Sequence, residues 1–217
     1  MRWFFLFPLL LHNALDAYSL QNFYCTKSGA RLYYKNNRAQ PKEIQMTKTL
    51  IAYFSHTGEN YFGGTIKNIT KGNTHVVAEF AQKVTGGDMF EIRTVKTYPV
   101  NYQECCDEAQ AEGRANARPE LAVAVPDISG YDTIVLGYPC WWGTMPQAVF
   151  TFLESADFSG KKILPFCTHE GSGMGRSESD IKKLCPGSNV VKGLAINGSA
   201  CNRAEGNLKQ WLASNGL

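Results

Sequence analysis

The chain has 217 residues, 44% of them hydrophobic and 19% charged, enough to bury one substantial core without disulfide or metal staples. Its formal net charge of +3 is uneven: residues 1–45 hold six of the 22 Lys and Arg and two of the 19 Asp and Glu, leaving 16 positive and 17 negative groups from residue 46 onward. No basic stripe remains there to follow a phosphate backbone, which argues against nucleic-acid binding. The seven cysteines are odd in number and scattered, with no C-x-x-C, so they make no disulfide framework and fit a reducing, cytoplasmic setting.

Residues 1–45 need a separate account. Arg2 precedes the apolar run Trp3–Leu11, as in a secretory signal, but Leu15-Asp16-Ala17 is a poor cleavage region and the run is too short to span a bilayer. The preferred expectation is a non-domain leader with the working start at Met46. Lys42-Glu43 can be encoded by AAGGAG, which resembles a bacterial ribosome-binding site. The domain is then 46–217, without a membrane span.

From residue 46 the pattern alternates strand and helix. Thr49–Phe54 is a continuous apolar run, as expected for a strand covered on both faces. It leads into Ser55-His56-Thr57-Gly58 and a loop over 59–72. A helix starting at Asn73-Thr74 buries Val77, Phe80, Ala81 and Val84 and stops at Gly86-Gly87. The second strand covers 89–94. A helix over 101–116 follows, with Tyr102, Cys105, Cys106 and Ala109 on one face, where the vicinal cysteines read as core filler.

The third strand, 133–138, runs into Tyr138-Pro139-Cys140-Trp141-Trp142-Gly143, and Pro146 opens a helix that faces inward through Val149, Phe152, Leu153 and Ala156. The fourth strand, 162–167, ends in Thr168-His169-Glu170-Gly171-Ser172-Gly173, before a helix with a capping box, Ser177-x-x-Asp180. The fifth strand covers 189–196, and the last helix packs through Ala204, Leu208, Trp211 and Leu212. This pattern predicts an α/β doubly wound, five-stranded parallel sheet with helices on both faces.

In such a sheet ligands bind beyond the carboxyl ends of the strands, where the three glycine-, hydroxyl- and aromatic-rich loops fall. Ser55, Thr57, Asn73 and Thr74 at a helix N-terminus suit a phosphate. The lysine of a P-loop and a G-x-G-x-x-G after the first strand are both missing, so a monophosphate fits better than a triphosphate or pyrophosphate. Ser172 sits in G-S-G and makes no nucleophile elbow. Two adjacent tryptophans between prolines offer a π-face for a flat ring.

Together, Gly58-Glu59-Asn60-Tyr61 before Gly72-Asn73-Thr74, Tyr138-Pro139-x-Trp141-Trp142-Gly143 and Thr168-His169-x-Gly171-Ser172-Gly173 resemble the flavodoxin-like family, in its bacterial branch with a Gly-Glu-Asn-Tyr insertion. The resemblance covers 48–217. It implies strand order 2-1-3-4-5 and non-covalent FMN. Ser55, Thr57, Asn73 and Thr74 would form the phosphate loop, with His56 and Gly58 also among the cofactor-binding residues. Tyr138, Pro139, Trp141, Trp142 and Gly143 would line one side of the isoalloxazine, and Thr168, His169, Gly171, Ser172 and Gly173 the other.

Many members place a Tyr in the last loop, where this chain has His169. His56, His169 and Glu170 read as loop hydrogen-bonding groups rather than proton donors, and Tyr98 and Tyr102 as candidates to cover the ring edge. The function implied is a low-potential electron-transfer protein serving an unidentified reductase and acceptor. The alternative is an FMN-dependent NAD(P)H:quinone or flavin-type oxidoreductase, which the absence of strong acidity keeps open.

Overall fold

A computed structural model describes residues 48–217; the expectations for residues 1–45 lie outside it. The elements in chain order are β1 Thr49–Tyr53, β2 Gly58–Phe62, β3 Thr65–Ile69, α1 Asn73–Thr85, β4 Asp88–Glu91, α2 Tyr102–Ala115, β5 Thr133–Pro139, α3 Gln147–Glu154, β6 Lys162–His169, α4 Ser177–Leu184, β7 Asn189–Val190, β8 Leu194–Asn197, the 3-10 segment Gly198–Arg203 and α5 Glu205–Ser214.

The main sheet is parallel, in the order β4-β1-β5-β6-β7, with β8 also on β6. This is the expected 2-1-3-4-5 order, with the fifth strand in two pieces. The break falls opposite Pro165 of β6, which has no N–H to give to a neighbour.

Every residue of β1 and the first six of β5 are buried, because helices cover both faces. On one face, Val77, Ala78 and Ala81 of α1 and Leu208 and Leu212 of α5 pack on Ile51, Tyr53, Val135 and Leu164. On the other, Val149, Phe152 and Leu153 of α3 and Ile181 of α4 pack on Leu50, Ile134, Leu136 and Ile163. Each of the Val, Leu, Ile and Phe side chains among them contributes about 1.5–3 kcal/mol by leaving water.

Three sequence expectations are corrected. The stretch 59–72 is not a plain loop: β2 and β3 form an antiparallel hairpin whose two-residue turn is Gly63-Gly64, at φ +58° and +99°. Both residues need the positive φ that such turns demand.

The capping box is absent. Ser177 is already inside α4, where its hydroxyl donates to Met174 O at 2.6 Å and meets Tyr138 Oη at 2.9 Å, while Asp180 accepts from Thr144 Oγ1 at 2.6 Å. Of the vicinal cysteines only Cys105 is buried; Cys106 turns toward the carboxyl edge of the sheet.

Candidate cofactor cleft

The loops after β1, β5 and β6 converge on a cleft of about 500 Å³ at the carboxyl edge of the sheet. Of the sequence-predicted residues, His56, Asn73, Thr74, Pro139, Trp141, Trp142, Gly143, Thr168, His169 and Ser172 line it. Ser55, Thr57, Gly58, Tyr138, Gly171 and Gly173 stand outside that lining. Two of these act from behind it: Tyr138 is fully buried under the site, and Ser55 holds the start of α1.

The end of the cleft expected to take a phosphate is built from α1. Ser55 Oγ accepts from His75 N at 3.1 Å, so a serine on the preceding strand's loop satisfies one orphan donor of the first turn. No side chain caps the helix at Gly72, and Asn73 and Thr74 both reach the cleft. Gly72 is obligatory there, because a Cβ would fall on Ser55 Oγ and lie 2.5 Å from His56 O. Thr74 Oγ1 and Thr168 Oγ1 are 2.8 Å apart and form a buried floor that joins the first loop to the third. Partly positive N–H groups with hydroxyls beneath them suit an anion.

The aromatic side is a tight turn. Trp141 N donates to Thr144 O at 2.8 Å and Thr144 N returns to Trp141 O at 3.1 Å, with Trp142 at φ +50° and Gly143 at +78° between them. A tryptophan in the left-handed region is uncommon, and here the turn requires it. The two indoles are thereby divided. Trp141 sits edge-on among Phe54, His56 and Tyr98, with ring centres 5.0–5.8 Å away. Trp142 stays 54% exposed, its Nε1–H donating to Cys106 O at 3.0 Å.

Two titratable groups are displaced here. Cys140 lines the cleft, and its thiol is lowered to about 6, chiefly by the Cys167 S–H and further by the Ser172 hydroxyl and the Gly143 N–H. The same contact, together with burial, pushes Cys167 up. His56 is held below its ordinary value by burial, and its Nε2 has no hydrogen-bond partner among the described residues.

Sequence reasoning missed the opposite wall: Glu59, Asn60 and Tyr61 from β2, with Gln103, Cys105, Cys106 and Ala109 from α2. Tyr102 joins them as a ring-edge candidate; its ring centre lies 6.4 Å from that of Tyr61, and burial raises its phenol to about 12. Tyr98 lies behind Trp141, donating to Glu112 at 2.7 Å. The Gly63-Gly64 dipeptide was the available signal for this wall, since it marks a two-residue hairpin turn.

A parallel sheet in this order, with an anion-ready helix start beside an aromatic turn, defines the architecture of a flavodoxin-type α/β protein. The model of the flavodoxin family matches residues 48–215, and the chain belongs to that family.

Among solved structures, a protein of Bacteroides uniformis ATCC 8492 classed as a flavoprotein is 31% identical, with 78% of this chain and 99% of that one covered and a TM-score of 0.63. Its counterpart from Bacteroides eggerthii DSM 20697 is 28% identical, over 79% and 99%, at 0.64. A flavoprotein of Lactobacillus acidophilus NCFM, solved in complex with FMN, shares the fold at 22% identity, over 72% and 97%, with a TM-score of 0.52. No helix of the described residues is long and apolar enough to cross a membrane.

Proposed function

We propose that this flavodoxin-family protein, with FMN in the cleft, is a low-potential electron carrier. The cleft fits the cofactor: a glycine-spaced helix start takes a monophosphate, and the Trp141–Thr144 turn offers an indole face to a ring. Bound FMN supplies the electron chemistry, accepting and passing on electrons.

The observation that carries the reading is the charge of the walls. Glu59 and Glu170 line the cleft, and no Lys or Arg of the described residues does. The phosphate is therefore held by neutral donors, and added negative charge on the ring meets no compensating cation in a partly desolvated site. The guanidinium that acts on Cys140, that of Arg176, stands outside the lining and is paired with Asp180 at 3.2 Å, so the wall carboxylates raise the cost of reduction and lower the potential. The same walls offer no cation for the pyrophosphate of a nicotinamide nucleotide. The free thiols of the domain suit a cytoplasmic setting, where a separate reductase would load the protein and an acceptor unload it.

One feature favours the second reading, an NAD(P)H:quinone-type oxidoreductase: the added wall of Tyr61, Tyr102 and Gln103 leaves lateral room for a small acceptor. An anaerobic absorbance titration separates the two. The FMN-loaded protein is expected to keep its visible band when NADPH is added and to bleach only with dithionite; prompt bleaching by NADPH would sink the carrier reading and establish the enzyme.

A further inference from the structure

The β2–β3 hairpin belongs to neither face of the main sheet, yet β2 supplies one wall of the cleft. Its base is tied to the start of α2 by three hydrogen bonds. Glu59 N donates to Val100 O at 2.9 Å, and Glu59 Oε2 accepts from Tyr102 N at 2.9 Å and from Asn101 Nδ2 at 3.0 Å. Gly58 makes the entry possible, at φ +91° with a would-be Cβ 3.0 Å from Val100.

The tip is tied differently. Gly63 N donates to Glu170 Oε2 at 3.1 Å, while Glu170 Oε1 accepts from Ser199 N at 2.5 Å. One carboxylate thus joins the hairpin tip to the start of the 3-10 segment. It does so beside the phosphate end: the would-be Cβ of Gly198 lies 2.9 Å from Glu170 Oε1 and 2.7 Å from Asn73 Nδ2.

We propose that the hairpin is a strap that retains the cofactor, hinged at Glu59 and latched at its tip by Glu170. This rests on FMN being the occupant. The base carries three hydrogen bonds to the body and the tip carries one, so the tip is the end that opens. A charge-assisted bond at a partly exposed site is strong enough to matter and weak enough to break on the timescale of ligand exchange. Glu170 is thereby a positioning residue: its two oxygens are spent on backbone N–H groups of the strap and of its anchor, which also keeps the carboxylate from the phosphate.

The geometry supplies its own lock. The Cβ built at Gly63 lies 3.7 Å from Ser199 Cβ, within the Cβ separation of a disulfide. The test is the FMN dissociation rate, read as the recovery of flavin fluorescence after the loaded protein is diluted into flavin-free buffer far below its dissociation constant. Glu170→Ala is expected to release FMN about tenfold faster than the parent, and Glu170→Gln by an intermediate factor. Gly63→Cys/Ser199→Cys, oxidised, is expected to release it at least tenfold more slowly than the same protein with its thiols reduced.

That last comparison is made within one polypeptide, so a folding defect cannot imitate it. Equal rates in the parent, the Glu170 variants and both redox forms of the double variant overturn the strap while leaving FMN binding intact. Failure of the parent to quench flavin fluorescence at all overturns the FMN reading and the strap with it.

Discussion

The two tryptophans of the aromatic loop are adjacent in sequence and opposite in role. Trp141 is clamped edge-on by Phe54, His56 and Tyr98, whereas Trp142 projects half-exposed from a left-handed residue. Trp141→Ala is therefore expected to cost stability, about 3 kcal/mol from the cavity it opens, visible as a lower urea midpoint of the apoprotein. Trp142→Ala is expected to leave that midpoint nearly unchanged and to weaken FMN binding by tenfold or more. The reverse pattern would mean that Trp141 is the ring-facing indole.

Cys140 gives the second prediction at this scale. The neighbouring donors Cys167, Ser172 and Gly143 lower its pKa to about 6, whereas burial raises Cys105 to about 12 and Cys185 to about 11. A lowered pKa means the reactive thiolate accumulates above pH 6 instead of above the usual 8.5 or so. Iodoacetamide is expected to alkylate Cys140 first in the apoprotein, with a rate that rises through pH 6 and is level by pH 7.5, and FMN is expected to protect it. Mass spectrometry of the labelled peptides decides; labelling led by Cys106 would remove Cys140 from the role.

Among the elements, α1 connects fold to site most directly. Its N-cap glycine and C-cap glycine occupy opposite ends of one helix and answer to different constraints. Gly86 ends the helix at φ +66° with open space around it, so Gly86→Ala should cost about 1 kcal/mol from backbone strain alone. Gly72 has an ordinary φ of −68°, and its constraint is the approach of Ser55 and His56. Gly72→Ala must push the helix start away from the β1 loop, at about 1–3 kcal/mol. It is expected to weaken FMN binding at least tenfold, while Gly86→Ala leaves affinity intact. Parallel fluorescence titrations of the two variants make the comparison; equal losses would mean the helix start is not the phosphate site.

The same elements explain what could be read in advance. The central parallel strands were legible because burial on both faces leaves continuous apolar runs, as in Leu50–Tyr53 and Ile134–Tyr138. The three loops were legible because glycines and hydroxyls gather at one edge. The hairpin was not, since Gly58–Phe62 and Thr65–Ile69 are five residues each, the first mostly half-buried and the second mostly exposed, and neither shows the apolar–polar alternation that marks a strand with one buried face. Its wall residues are placed by pairing across the turn and by Glu170, 107 positions away from Gly63, and long-range ties of that kind leave no local pattern. The supposed capping box at Ser177 failed for a related reason: the tertiary contact with Tyr138 claims the hydroxyl.

On the scale of the whole molecule, the division of charge bears on how the cofactor is held. The domain carries nearly equal numbers of positive and negative groups, and its cleft is lined by two carboxylates: Glu170, with both oxygens on backbone N–H groups, and Glu59, whose Oε2 accepts from Tyr102 N and Asn101 Nδ2. Binding a phosphate through Lys or Arg would make affinity fall steeply with salt, because screening weakens each ion pair. Binding through the first turn of α1, Thr74 and Thr168 involves fixed short-range dipoles, which salt hardly screens. The residual long-range effect has the opposite sign, since salt weakens the repulsion between the phosphate and Glu59 and Glu170. The dissociation constant for FMN is therefore expected to stay level or to tighten by up to about twofold as NaCl rises from 0.05 to 0.5 M, a range in which the Debye length falls several-fold. A tenfold weakening over that range would show that a cation holds the phosphate, and the argument for a low potential from uncompensated charge would fall with it.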